Sequence, residues 1–148
     1  MQRLPTLLLP LLAAVAWLLP PLVHARDLVL VVRADSPVVN LDSLAVRKLY
    51  LGFTVTAGDR ELKALRLAND RELEVAFMQN VVGMSTAQYE SRLLRLTLKQ
   101  GRPAPRRMAG PEEMIALLNR DPAAVGCLWA DQVAGRDNLR VVRLLWRG

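Results

Sequence analysis

Residues 44–58 read LAVRKLYLGFTVTAG. Leu41, Leu44, Ala45 and Leu49 fall at i, i+3, i+4 and i+8, one face at helical period. Asn40, Asp42 and Ser43 stand just upstream, and each side chain can accept from an orphan N–H at the start of a helix. Gly52 occupies the position where a left-handed residue ends a helix. The short apolar run Phe53–Val55 then leads into Ala57-Gly58-Asp59-Arg60, a turn signal. The stretch therefore predicts a helix, a sharp stop and a hairpin.

Outward from it, the pattern alternates strands and helices. Upstream, Asp27–Arg33 is DLVLVVR, a branched apolar run of strand length that reads as a central strand covered on both faces. Its end, Ala34-Asp35-Ser36-Pro37, is a loop. Ligands of open α/β sheets sit beyond strand carboxyl ends, so Asp35 and Ser36 are candidate contacts; their simpler role is to shape the turn before Pro37. Downstream, Leu62–Ala68 reads as a second strand. Asn69-Asp70 then caps a helix over Arg71–Val82 that buries Leu73, Ala76, Phe77 and Val81. Gly83 ends it. Ser85 with Gln88 has capping-box spacing and starts a helix through about Lys99.

On that helix Tyr89, Leu93 and Leu96 share one face and Arg92, Arg95 and Lys99 another. The basic face reads as solvated surface or as an electrostatic patch for an anionic partner. Residues 100–110 read as a loop. Pro111 fits the first position of a short helix that buries Met114, Leu117 and Leu118. Val125–Ala130 and Leu139–Trp146 read as strands, with Trp129 and Trp146 as packing residues. The alternation predicts one α/β domain over residues 26–148, a mixed central sheet flanked by helices.

Residues 1–25 differ in kind. Arg3 is their only charge; an apolar run, Pro20-Pro21 and a small residue, Ala25, follow. This is the form of a cleaved secretory signal, which predicts a mature chain from Arg26 in the periplasm. The four prolines of the run make it a poor membrane-spanning helix. The whole chain carries 20 Lys and Arg against 14 Asp and Glu. The one histidine, His24, lies in the leader, and Cys127 is the one cysteine. Without a histidine in the mature chain, the usual catalytic triad and most zinc sites have no donor. No Gly-rich phosphate-cradling motif is present. The composition gives no support to an enzyme, a cofactor or a metal. An exported chain with few aromatics among its basic residues is a poor nucleic-acid binder.

The pieces together resemble the phosphate-type substrate-binding proteins of bacterial ABC importers, in their short, single-lobe form. Tyr50-Leu51-Gly52 stands where that family ends a helix in Phe-x-Gly. Val55 and Gly58 stand at its Trp-x-x-Gly turn, and "NVVGMSTAQY" and "DPAAVGCL" match later segments. The resemblance covers about residues 27–128 and implies one lobe of a type 2 periplasmic binding protein. It further implies a small anionic solute such as phosphate, a membrane permease or sensor as partner, and a site at the start of the second helix. At that start the family has a Gly-Ser loop; this chain has Asn69-Asp70-Arg71-Glu72. With Asp35 and Ser36, Asn69 and Arg71 make up the expected ligand-binding set, an open shelf at the strand ends. The alternative is a periplasmic interaction or sensory module on the same lobe, without transport.

Overall fold

The computed structural model describes residues 26–148; the leader read in residues 1–25 lies outside them. Seven strands and five helices alternate: β1 (Leu28–Arg33), α1 (Ser43–Tyr50), β2 (Thr56–Ala57), β3 (Arg60–Glu61), β4 (Lys63–Leu67), α2 (Arg71–Phe77), α3 (Thr86–Gln100), β5 (Arg106–Met108), α4 (Pro111–Arg120), β6 (Ala124–Trp129), α5 (Ala130–Val133) and β7 (Leu139–Trp146). Five strands form one mixed sheet in the order β5-β4-β6-β1-β7, and β2 and β3 form a separate hairpin. The expected α/β architecture is present.

Strand direction decides where a site can lie. β4 pairs in parallel with both β5 and β6. β1 is antiparallel to β6 and to β7. β1 is buried through its first five residues, as its unbroken apolar run requires. Its carboxyl end therefore lies beside the amino ends of β4 and β6, and Lys63 pairs with Ala124 at that same end.

Helices cover both faces. Successive residues of β6 point to opposite sides. At Gly126 an added Cβ would meet Met114 of α4, so α4 packs directly on one face. On the other side Cys127 meets Tyr50 of α1. Tyr50, Phe77 and Tyr89 form an aromatic group, packed edge-to-face and tilted, that joins α1, α2 and α3 there, with ring centroids 4.9 and 5.9 Å apart. The Tyr89 hydroxyl donates to Tyr50 O at 2.6 Å, and the Tyr50 hydroxyl donates to Leu65 O at 2.8 Å. Each buried hydroxyl is thus satisfied by a backbone carbonyl.

The local signals act where they were read. Asp42 caps α1 through Ala45 N, Asp70 caps α2 through Leu73 N, and Ser85 and Gln88 form the capping box of α3. Gly52 and Gly83 are left-handed. Beyond Phe77 the second helix continues as one wide turn, Met78–Val82.

Three readings need correction. α1 buries Val46, Leu49 and Tyr50, and leaves Leu44 60% exposed. Apolar residues surround most of this short helix, so period alone does not fix its rotation; the bonds of Tyr50 do. α4 buries Ile115 in place of Leu117 for the same reason. Residues 106–108, expected within a loop, form edge strand β5, whose two arginines conceal any apolar alternation.

Candidate functional site

The parallel strands β4, β5 and β6 all end on one side of the sheet, and the helix starts of α2, α4 and α5 follow them directly. Such a carboxyl edge is where open α/β sheets hold ligands. Asn69 and Arg71 lie on it. Asn69 adopts φ 65°, a left-handed conformation that asparagine tolerates better than other residues with a side chain. It turns the chain from β4 into α2. Arg71 is exposed and has no carboxylate within 4 Å among the described residues.

Asp35 and Ser36 lie elsewhere. β1 runs against β4, so its carboxyl end is at the opposite edge, about 15–20 Å away at the usual rise per strand residue. The structure therefore does not bring the four expected residues onto one shelf. Asp35 is held by Arg33, which keeps its carboxyl below the ordinary range. The Ser36 hydroxyl donates to Pro122 O at 2.7 Å and accepts from Val38 N at 3.3 Å. Arg140 donates to the carbonyls of Ala34, Ser36 and Val38 at 3.3, 3.1 and 2.6 Å. These bonds tie the loop to β7 and leave its polar atoms engaged.

At the carboxyl edge the start of α2 is capped by a side chain of this chain, whereas α4 begins at Gly110 without a side-chain cap. One oxygen of Asp70 accepts from Leu73 N at 3.0 Å, and the other accepts from Trp129 Nε1 at 2.9 Å. Glu113 accepts from Ala109 N at 2.8 Å before α4. Gln132 accepts from Trp129 N at 3.0 Å at the start of α5. A helix start attracts anions through its unpaired N–H groups and its dipole. Here Asp70 puts its own carboxylate at that place.

Beside Asp70 lies a groove of about 410 Å³ with Arg26 and Arg71 on its rim and Trp129 and Trp146 against it. Arg26 bridges Glu72 and Asp131, both at 3.7 Å, and its guanidinium lies 5.8 Å from the Trp129 ring centroid. The two indoles are 6.2 Å apart. Arg26 and Trp129 were missed as site residues, because only the fold places them next to Arg71. Their separation in sequence carries no signal; the one available hint was that Trp129 ends a strand. Among the described residues no group of three or more His, Cys, Asp or Glu is placed to hold a metal.

The lobe defined by this sheet and its carboxyl edge recurs in solved binding proteins. A protein from Clostridium perfringens, assigned as a phosphate ABC transporter substrate-binding protein and containing bound phosphate, superposes with a TM-score of 0.59 at 16% identity. An ABC-type phosphate transport receptor from Vibrio cholerae gives 0.59 at 19% identity. Each match covers 80% of this chain but only 45% and 46% of the other, so the chain spans less than half of these structures. At such identities the likeness shows the fold alone, an α/β lobe like the covered part of those binding proteins. No protein-family model matches the chain, and no curated protein matches it.

Proposed function

We propose that this chain is an exported, non-catalytic binding lobe that holds a small oxyanion weakly at the Asn69–Arg71 turn, in concert with a membrane permease or sensor. The fold supports a binding role, and the leader-like residues 1–25 support export. The observation that carries the reading is the Asp70 carboxylate on Leu73 N and Trp129 Nε1. It marks the turn as a place built for a negative group, and it makes any external anion compete with an internal one. Arg71 supplies the charge that favours the external ligand. This lobe taken by itself offers one of the two sets of contacts that close on a ligand in hinged binding proteins. The dissociation constant for phosphate is accordingly on the order of 0.1–1 mM, roughly 4–5.5 kcal/mol.

Calorimetry with phosphate, sulfate and molybdate tests this on three proteins. Asp70→Ser removes the competing carboxylate while keeping a hydroxyl cap, and binding strengthens. Arg71→Ala weakens it. Tight wild-type binding that ignores Arg71 would overturn the proposal.

A second reading rests on the other two helix starts. Glu113 and Gln132 accept from the backbone N–H groups of Ala109 and Trp129 just before them, so this edge is bonded internally at all three turns. That arrangement suits an interaction or sensory module that binds no free solute. If none of the three proteins binds any anion, this reading takes precedence.

A further inference from the structure

The amino edge of the sheet holds a second and larger recess. β5 pairs only with Leu65–Leu67 of β4. The preceding segment, Arg102-Pro103-Ala104-Pro105, diverges, and its two prolines have no N–H to give to a ladder. The first residues of β4 therefore have no strand partner on that side. Bonding direction alternates along a strand in a parallel ladder. Lys63 N donates to Ala123 O, toward β6, so Ala64 N–H turns the opposite way, into the gap.

The gap is a cleft of about 470 Å³, within the range of small-molecule sites. Leu49 of α1, Leu62 and Leu65 beside and within β4, and Leu117 of α4 give it an apolar wall. Its rim is charged. Lys63 is paired with Asp121 at 2.8 Å, and Arg102 lies 3.6 Å from Glu61. Both rim acids are thus engaged, whereas Arg106 has no carboxylate within 4 Å among the described residues. The rim has one uncompensated cation, and one backbone donor faces the same space.

We propose that this cleft binds a small amphipathic monocarboxylate, its apolar body against Leu49, Leu62 and Leu117 and its carboxylate at Arg106 and Ala64 N–H. Net positive charge selects against a cationic head group, and the apolar wall gives a short, fully hydrated anion such as acetate little to bind. The cleft is at the opposite edge from Asn69–Arg71 and does not depend on the solute proposed there.

Octanoate, octan-1-ol and acetate added to the purified, isotope-labelled protein test this by backbone amide NMR. Octanoate shifts the amides of Leu62–Leu65, Arg102–Arg106 and Leu117 and binds at least about tenfold more tightly than octan-1-ol or acetate, the difference expected of a charge-assisted contact joined to an apolar one. Arg106→Glu, an exposed substitution that leaves the fold intact, weakens octanoate about tenfold and leaves octan-1-ol unchanged. Ala104→Trp, which fills the cleft, abolishes binding of both. Equal affinity for octanoate and octan-1-ol, insensitivity to Arg106→Glu, shifts confined to residues 69–71, or no shifts at all would each overturn the proposal.

Discussion

Cys127 shows how a single side chain is set by its surroundings. It is fully buried, and burial pushes its thiol up to about 12. Its sulfur lies 3.2 Å from the Tyr50 hydroxyl. A reactive thiolate needs an exposed, electropositive setting, and Cys127 has the reverse. The folded state keeps a proton that the unfolded state releases near pH 8.5, so stability falls as pH rises above that value toward 12. Each pH unit across that window costs about 1.4 kcal/mol from this group. Urea melts at pH 7 and pH 10 read this as a loss of stability in the wild type that is smaller in Cys127→Ala. At pH 8 a thiol reagent labels the protein only after unfolding. Rapid labelling of the folded protein would show that the thiol is not enclosed.

At the scale of elements, Gly52 connects two helices. Its φ of 89° suits a helix stop, and a Cβ there would run into the Leu96 side chain of α3. Gly52→Ala therefore combines backbone strain of about 1–2 kcal/mol with overpacking of about 1–3 kcal/mol. In a double-mutant cycle, Leu96→Ala relieves the second part and leaves the first, so the pair is less destabilised than the two single losses added together. Denaturant titration of the four proteins measures this; strict additivity would mean that α3 does not press on the end of α1. Gly52 was legible in the sequence, as were the caps Asp42, Asp70 and Ser85, because each acts on its own neighbours. The rotation of α1 was not legible, since Tyr50 takes its position from Leu65 O, a partner outside the helix. Nor was β5, a three-residue strand that exists only because β4 offers it an edge.

For the molecule as a whole, the longer strands β1, β4, β6 and β7 and the α/β class were legible, but strand direction was not. Apolar runs mark β1 and β6 as buried; nothing in them or in β4 states that β1 runs the other way. That one sign separates Asp35 and Ser36 from Asn69 and Arg71, and it turns half of the expected site into structural support for the loop beside β7. Arg26 begins the described residues and already takes part in the edge, through Glu72, Asp131 and Trp129. The cleavage proposed after Ala25 would add a positive α-amino group at Arg26, beside the groove. Intact-mass measurement on protein recovered from the periplasm finds a chain starting at Arg26. Retention of residues 1–25 would count against export by a cleaved signal.

The position of β1 also sets an order of events in time. It is the earliest of the described strands to be synthesised, yet both of its neighbours come from the far end of the described residues: Leu28 pairs with Trp129 and with Trp146. Every contact that closes the middle of the sheet is long-range, and such topologies fold slowly because the loop must close before any pairing repays it. A growing chain exposes LVLVVR, with no partner to cover it, until β6 and β7 have been made. For that interval the segment is open to aggregation and to chaperones alike. Stalled synthesis short of Leu139 leaves β1 with one flank bare. Completion of β7 thus covers the second flank of β1.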